Sequence, residues 1–264
     1  MNRFFYAFLI AFTITAIPAI AQDNSAREVE EVVVTALRKE TNLQDTAITI
    51  TAISAEDMEI KQLENFEDLQ FAVPTLTFGK GAYSGSAISL RGIGNFAVGN
   101  ASSNSIGYFW NGQSASQSGL YEAEFFDVER IEVLRGPQGT LFGSGTTGGA
   151  VQMLTRRPDV DAGGYFKVDV AEYDSTRLSG AFNLPLSDTI RSRFAFASLK
   201  RGGFVTNSYD GNDLDDRNTM SGRMSFEWDY SDNTVISLIY EHTKADDNRL
   251  RAARQYCKQD KFFG

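Results

Sequence analysis

The stretch that decides the fold is residues 127–158, which read DVERIEVLRGPQGTLFGSGTTGGAVQMLTRRP. Its first part alternates charged and apolar side chains, the pattern of a β-strand with two unlike faces. A Gly-Pro turn and a glycine-rich stretch then lead into a second strand, Val151 to Thr155. Glycine at this density indicates backbone conformations or close approaches that a side chain would block. The turn glycines that we single out in this domain are Gly92, Gly136, Gly139, Gly143, Gly148 and Gly149.

The residues upstream of this stretch predict a small α+β domain, which we place at residues 46–160. Residues 47–52 alternate as a strand, and Ser54 followed by two acids predicts the capped start of a helix. A second helical stretch begins at Asn65 and ends near Val73-Pro74, because the residue before a proline disfavours the helical conformation. Strand and turn signatures follow at residues 88–92 and 107–112.

The pattern changes in residues 161–264, where five strands have one apolar face and one charged or polar face, as a transmembrane barrel requires. In the fifth strand, Val235 and Ile239 interrupt the polar face. Tight turns at 184–188 and 230–233, with long polar loops at 201–217 and after Lys244, match the connections of such a barrel, whereas the short external connection Asp174-Ser175 departs from the rule. A soluble sandwich is the alternative, but its buried faces would more often be poor in charge. The apolar positions are Phe166, Val168, Val170, Leu178, Phe182, Leu184, Ile190, Phe194, Phe196, Met220, Met224, Phe226, Trp228, Tyr230, Ile236, Leu238 and Tyr240.

The N-terminus indicates export. A basic start, an apolar run and small residues predict a signal peptide, residues 1–21, cleaved between Ala21 and Gln22. The run is too short for the membrane-spanning helix that is the alternative. Residues 22–45 are predicted to be a flexible leader containing one β-branched run, Glu31-Val32-Val33-Val34-Thr35-Ala36. That run has no hairpin partner nearby and suits addition to the edge of another sheet, although an ordinary first strand of the domain is equally open.

Composition argues against several function classes. The formal net charge is -9, and no Lys/Arg cluster is dense enough to follow the phosphates of a nucleic acid. The single His242 excludes a His-paired metal site, and the single Cys257 excludes a disulfide within the chain. We expect no cofactor, no resident metal and, without a base beside a nucleophile, no enzyme. Residues 143–148 match a dinucleotide fingerprint in form only, and residues 210–216 lack the glycine and glutamate of a calcium loop.

In their order along the chain, these features resemble the TonB-dependent outer-membrane receptors of the siderophore-receptor type. The matching pieces are the signal peptide, the run Glu31 to Ala36, Val73-Pro74, Leu90-Arg91-Gly92, residues 130–137, Gly148-Gly149-Ala150 and Arg156-Arg157-Pro158. The resemblance implies a plug domain inside a barrel of about 22 strands. It makes Glu31 to Ala36 the TonB box. It also implies charged contacts between plug and barrel wall at Arg91, Arg130, Glu132 and Arg135, whereas Asn111 stands where the family usually has an aspartate.

The resemblance implies a transporter in the outer membrane, with the plug facing the periplasm. Its partners would be TonB with the inner-membrane energising complex, outer-membrane lipid, and a small metal chelate, by default a ferric siderophore. The ligand-binding residues are unknown, with the loops Gly94 to Ser105 and Gln113 to Tyr121 as candidates. Five strands cannot close a barrel, so we expect an N-terminal fragment. The alternative is a plug-plus-hairpin module that binds TonB without transporting. A sensor would need a further domain, for which residues 22–30 leave no room.

Overall fold

The computed structural model describes residues 33–34, 41–42, 48–80, 86–94, 105–115 and 121–249. Up to residue 155 the elements are β1 (Val33–Val34), β2 (Thr41–Asn42), β3 (Ile50–Ser54), α1 (Ala55–Ile60), α2 (Phe66–Ala72), β4 (Leu76–Lys80), β5 (Ser86–Leu90), β6 (Ile93–Gly94), β7 (Ile106–Trp110), β8 (Gln113–Ser114), β9 (Val128–Arg135), α3 (Gly139–Phe142) and β10 (Gly149–Thr155). The later elements are β11 (Gly163–Ala171), β12 (Ser175–Ser187), β13 (Ile190–Arg201), β14 (Val205–Thr206), β15 (Asp213–Leu214), β16 (Arg217–Ser231) and β17 (Thr234–Ala245).

Residues 127–158 form the centre of a five-stranded sheet with the strand order β3-β9-β10-β7-β8. As the alternation and the glycine-rich return predict, β9 and β10 pair antiparallel, with Val133 opposite Val151. On the outer sides, β3 pairs antiparallel with β9, and β7 runs parallel to β10. Most side chains of the central pair are buried. The sequence does not predict the short helix α3 in the connection or the short strand β8.

Both predicted helices form, and local hydrogen bonds fix where each begins. Ser54 caps α1, since its hydroxyl oxygen accepts a hydrogen bond from the backbone N–H of Asp57 at 3.1 Å. Asn65 caps α2 in a capping box. Its side-chain oxygen accepts from the Asp68 N–H at 3.3 Å, and the Asp68 carboxylate accepts from the Asn65 N–H at 3.1 Å. Such caps satisfy N–H groups that lack a partner inside the helix. As predicted, α2 ends directly before Val73-Pro74.

The helices pack on one face of this sheet and enclose an apolar core. Phe66 on α2 is fully buried. Its ring lies edge-on to the rings of Tyr108, Tyr121 and Phe125, at centroid distances of 4.7, 5.6 and 5.2 Å. Phe71 on the same helix is 79% exposed, so α2 buries a single face. Other core members are Ile53, Met58, Leu69, Val73, Ile131, Val133, Val151 and Met153. Burial of this apolar surface is the main force that holds the domain together.

The six turn glycines differ in what the backbone requires of them. Four have left-handed φ values between 78° and 147°, namely Gly92, Gly136, Gly143 and Gly149. A Cβ on Gly149 would lie 2.3 Å from the carbonyl oxygen of Leu134 in the neighbouring strand, so no side chain fits there. Gly148 lies outside the left-handed region but packs against two isoleucine side chains. Gly139 has neither feature: it begins α3, and an added Cβ would meet open space.

The second sheet, which we call the wall sheet, is an antiparallel meander in the order β11-β12-β13-β16-β17. Alternation along its strands gives two faces of opposite character, as predicted. The apolar face is exposed, with Phe166, Met220 and Tyr240 exposed by 67, 68 and 64%. The polar face is covered along the inner strands β13 and β16, and its buried members include Arg193, Ser221, Arg223, Ser225 and Glu227. The outer strands β11 and β17 are largely exposed on both faces.

The ends of the wall strands differ from the prediction in several places. β16 continues through Tyr230 to Ser231, so the second predicted turn is only Asp232-Asn233. β12 continues through Leu184-Pro185 to Ser187, where the sequence predicts a turn, and the turn itself is Asp188-Thr189. Pro185 is tolerated because the pairing with β13 shifts register between Pro185 and Ser187, and proline in a sheet belongs at such irregularities. The long connection between β13 and β16 contains the small hairpin β14-β15.

The β-branched run near the N-terminus has a hairpin partner, which corrects the sequence prediction. Val33-Val34 pairs antiparallel with Thr41-Asn42. The partner is polar and only two residues long, so it carries no strand periodicity. Backbone pairing needs only N–H and C=O groups, which every such residue offers. The rest of the run Glu31 to Ala36 lies outside the described residues.

In chain order, the elements confirm the predicted fold class, an α+β domain followed by antiparallel strands. The five long strands and both helices lie close to the predicted positions. In the part of the chain that the structure describes, no helix is long and apolar enough to cross a membrane.

Replacing Phe66 with alanine is expected to lower the free energy of unfolding by about 3–5 kcal/mol, because it removes a buried ring and leaves a cavity. The matched control is Phe71→Ala on the exposed side of the same helix, which should change that free energy by less than about 0.5 kcal/mol. Urea unfolding followed by tryptophan fluorescence measures both variants. Similar losses in the two variants would contradict the orientation of α2.

Candidate functional site: the interface between the plug domain and the wall sheet

The polar face of the wall sheet is turned toward the predicted plug domain, and opposite charges meet between them. The ion pairs across this interface are Lys167 with Glu59, Arg177 with Glu64 and Glu124, Arg193 with Asp127, and Glu227 with Arg157. Beyond β17, Arg249 also pairs with Glu122 of the plug domain. Removing one partner of a buried pair leaves an uncompensated charge, which is strongly destabilising. These pairs therefore constrain how the two parts fit together.

The most deeply buried pair joins Asp127, the residue before β9, to Arg193 on β13. Two hydrogen bonds form it, from Arg193 Nε to Asp127 Oδ2 at 2.8 Å and from Nη2 to Oδ1 at 2.5 Å. The side chains are only 1% and 7% exposed. Arg193 Nη1 donates a further hydrogen bond to Asn183 Oδ1 at 2.8 Å. Such two-point pairing of arginine and carboxylate fixes position as well as charge.

Phe126 docks beside this pair. Its buried ring packs with Ala181, Ala195 and Ala197, whose short side chains leave room for it on the wall. The guanidinium of Arg223 lies over the ring at 4.3 Å from its centroid, a favourable cation–π arrangement. Arg223 also donates to the carbonyl oxygen of Phe126 at 3.2 Å. We refer to Phe126 and Asp127 with these wall contacts as the anchor.

The backbone of the anchor has an uncommon conformation. Asp127 has a φ of 51°, in the left-handed region that residues other than glycine seldom adopt. Its carbonyl oxygen accepts a hydrogen bond from the N–H of Arg156, directly after β10. The turn at Asp127 thus lies between the central strands of the plug domain and the wall sheet.

Burial also acts on ionisable groups of the plug domain near the interface. It raises the pKa of the Glu124 carboxyl, and the neighbouring Arg177 guanidinium opposes that rise. Burial raises the pKa of Tyr121 to about 12, and it raises the pKa of Tyr108 well above its ordinary value. Both phenols therefore stay neutral at physiological pH.

At one end of the interface the two parts separate and enclose a pocket of about 290 Å³, which we call the polar pocket. Its plug side includes Arg130, Thr155 and Arg157, and its wall side includes Ser225, Glu227 and Ser237. Arg157 spans it, with Nε 2.8 Å from Glu227 Oε1, but the Arg157 side chain is 68% exposed. The pocket is lined by charges of both signs.

The four charged residues predicted from the resemblance occupy different places. Arg91 is exposed in the turn between β5 and β6. Glu132 is fully buried on β9 and pairs with Arg130, which also pairs with Glu129. Arg135 donates to the hydroxyl of Thr51 on β3. These contacts lie inside the plug domain, and contact of the four residues with a barrel wall stays a prediction.

Several other predicted sites fall largely outside the described residues. They are the cleavage site Ala21-Gln22, most of the TonB box, Cys257, and the centres of the loops Gly94 to Ser105 and Gln113 to Tyr121. His242 is exposed on β17. Among the residues described, no group of three or more His, Cys, Asp or Glu side chains is arranged to hold a metal ion.

The anchor is the feature that the sequence analysis missed. Alternation places Arg177 and Arg193 on the polar face but does not reveal their partners, which lie more than 50 residues earlier in the chain. A usable signal is present on the wall, where alanine recurs at the polar-face positions 181, 195 and 197. Such a patch of short side chains indicates a site where a large side chain of another segment can dock.

Comparison with known proteins places these features in a family. A sequence profile described as TonB-dependent Receptor Plug Domain matches residues 42–150. The pesticin receptor of Yersinia pestis is 27% identical over 175 residues, which cover 65% of this chain and 26% of that protein. The ferric enterobactin receptor of Pseudomonas aeruginosa is 30% identical over 190 residues, covering 65% and 25%. The chain spans about a quarter of the length of these curated relatives.

Solved structures share the fold. The ferric yersiniabactin uptake receptor of Yersinia pestis superposes with a TM-score of 0.67 at 23% identity, covering 74% of this chain and 31% of that one. The ferripyoverdine receptor of the outer membrane of Pseudomonas aeruginosa superposes with a TM-score of 0.65 at 19% identity, covering 80% and 27%. Residues 42–150 therefore match the plug domain of the TonB-dependent receptors, and the antiparallel strands of the wall sheet follow it in the chain.

Proposed function

We propose that the protein is an outer-membrane receptor that takes up a ferric siderophore with energy delivered through TonB. The observation that carries this proposal is the pairing of plug-domain carboxylates with arginines on the polar face of a sheet whose other face is apolar. A plugged membrane barrel needs this arrangement, because its wall is apolar toward lipid and polar toward its lumen. A domain lodged in that lumen must match the charges of the wall.

The apolar face of the wall sheet supports a location in the outer membrane. Val168, Val170 and Leu238 on this face are exposed by 51, 78 and 60%. A contiguous apolar surface of this kind is unfavourable in water. Lipid would cover it, while the plug domain would face the periplasm, where TonB can reach it.

The names of the relatives support the ligand class. One is a receptor for ferric enterobactin, and the similar structures include receptors for ferric yersiniabactin and ferripyoverdine. Each of these ligands is an iron chelate, so we propose a chelate of the same class here. The iron complex is cargo rather than a resident cofactor, and transport leaves it chemically unchanged. The loops Gly94 to Ser105 and Gln113 to Tyr121 are proposed to contact it.

The partner of the leader is proposed to be TonB. The run Glu31 to Ala36 is β-branched and resembles a TonB box. Among the described residues, its central residues Val33-Val34 pair with Thr41-Asn42. Exchange of this pairing for a strand of TonB would replace backbone hydrogen bonds within the chain with backbone hydrogen bonds to the partner, which is the principle of strand addition.

Deleting Val32 to Thr35 is expected to abolish energised uptake of radiolabelled ferric siderophore while surface binding at ice temperature persists. The deletion removes the strand that pairs with TonB but leaves the folded plug domain intact. Deleting residues 24–27 of the same leader is the matched control and should leave uptake unchanged. Normal uptake after the first deletion would refute the TonB box. Binding without uptake in the unmodified protein would instead favour a module that does not transport.

Replacing Arg193 with methionine is expected to lower the free energy of unfolding by about 3–5 kcal/mol, because Asp127 would be left buried without its partner. The double variant Asp127→Asn/Arg193→Met should lose less than the sum of the two single variants. Urea unfolding of the purified protein in detergent measures all three. Strictly additive losses would show that the two side chains do not interact.

A further inference from the structure

The plug domain meets the wall sheet in two physically different ways. Around the anchor the contact is closed, with Phe126 and Asp127 buried among wall side chains. At the polar pocket the contact is open and is spanned by the pair of Arg157 and Glu227. The two regions are adjacent, since Arg193 of the anchor is the cross-strand partner of Ser225 in the pocket. A movement of the plug domain relative to the wall would therefore act on both.

Separation at the anchor would leave buried groups without partners. Asp127 is 1% exposed and has Arg193 as its charged partner. Arg223, only 1% exposed, would keep its wall partner Glu241 at 2.7 Å. It would lose the carbonyl oxygens of Phe126 and Asp127 and the aromatic ring beneath it. The alanine-lined recess would also lose the ring that fills it. Each of these losses is strongly unfavourable in a buried environment.

Separation at the polar pocket leaves the buried charges paired and exposes only a charge that is already largely in water. On the wall side, Glu227 keeps Arg191, whose Nη2 lies 3.5 Å from Glu227 Oε2. On the plug side, Arg130 keeps Glu129 and Glu132. Arg157 is already 68% exposed and would pass into water. Exposed ion pairs contribute little to stability, so this part of the interface opens more easily than the anchor.

The size of the polar pocket sets how far it must open. Its volume of about 290 Å³ is near the lower limit of about 300–1,000 Å³ for pockets that hold ligands of drug size. An iron chelate would need a wider space. Charges of both signs on its lining suit the passage of a polar complex with its hydration.

We propose that the ligand's passage opens at the polar pocket, where the plug domain parts from Ser225 and Glu227 of β16 and from Ser237 of β17. Phe126 and Asp127 meanwhile stay attached to Arg193 of β13 and Arg223 of β16. This inference rests on the proposed transport function. It assigns opposite roles to two ion pairs of the same interface. The pair of Arg157 and Glu227 separates during transport, and the pair of Asp127 and Arg193 stays formed.

The test bridges each pair covalently in the protein expressed from its own gene. After Cys257→Ser, one variant carries Arg157→Cys with Glu227→Cys and the other carries Asp127→Cys with Arg193→Cys, and a short bis-maleimide links the new thiols. Uptake is measured in cells without other siderophore receptors, using radiolabelled iron complexes of enterobactin, yersiniabactin and pyoverdine in turn. Bridging the first pair should lower energised uptake at least about tenfold without loss of surface binding, as when a gating movement is blocked. Bridging the second pair should leave uptake at least as high as in the same variant before the thiols are linked.

Each result decides between the two roles. Uptake that continues when positions 157 and 227 are bridged would refute the proposed passage at the polar pocket. Uptake that stops when positions 127 and 193 are bridged would refute it as well. If the second variant fails to reach the membrane, Glu64→Cys with Arg177→Cys replaces it, because that pair also joins the plug domain to the wall. Uptake by the unmodified protein that a protonophore does not reduce would overturn the proposed function and the passage with it.

Discussion

The buried ion pair between Asp127 and Arg193 is the interaction on which the relation of the two parts depends. A strand that is apolar on one face can contact an apolar surrounding on that face. The charged side chains of its other face then point inward. Arginine cannot lose its charge in a protein. Each inward guanidinium therefore needs a partner, and Arg193 finds its partner in the plug domain.

The same constraint explains the shape of the chain just before β9. Asp127 must reach the wall while the next residue, Val128, starts the strand beside β10. A left-handed turn at Asp127 meets both demands, and the hydrogen bond from Arg156 to its carbonyl oxygen holds the turn in place. Residues held in sparsely populated backbone conformations persist only where their surroundings fix them. The Arg193 guanidinium supplies that fixation from the wall, and the neighbouring Phe126 ring adds to it by docking among the wall alanines.

Features that depend on residues close together in the sequence could be predicted, and features that depend on distant residues could not. Strand alternation and helix caps are local, so the wall strands, α1 and α2 were accessible from short windows of sequence. The end of β12 was not, because Pro185 is a turn signal locally but lies at an irregularity of the pairing with β13. The partner of Val33-Val34 was missed because Thr41-Asn42 has no strand pattern of its own. Asp127 was missed because its partner is 66 residues away.

A large side chain of the plug domain packs against small side chains of the wall at the anchor, and this packing resists displacement of the anchor. Phe126 enters a recess made by three alanines, and Arg223 covers the face of its ring. Displacement of the anchor would take the ring out of this recess and away from Arg223, whereas at the polar pocket the largely exposed Arg157 would leave Glu227. Close packing resists small displacements, because contacts are lost before new ones form. The interface therefore has one part that resists displacement and one that yields, and this asymmetry comes from side-chain size and burial rather than from the number of ion pairs.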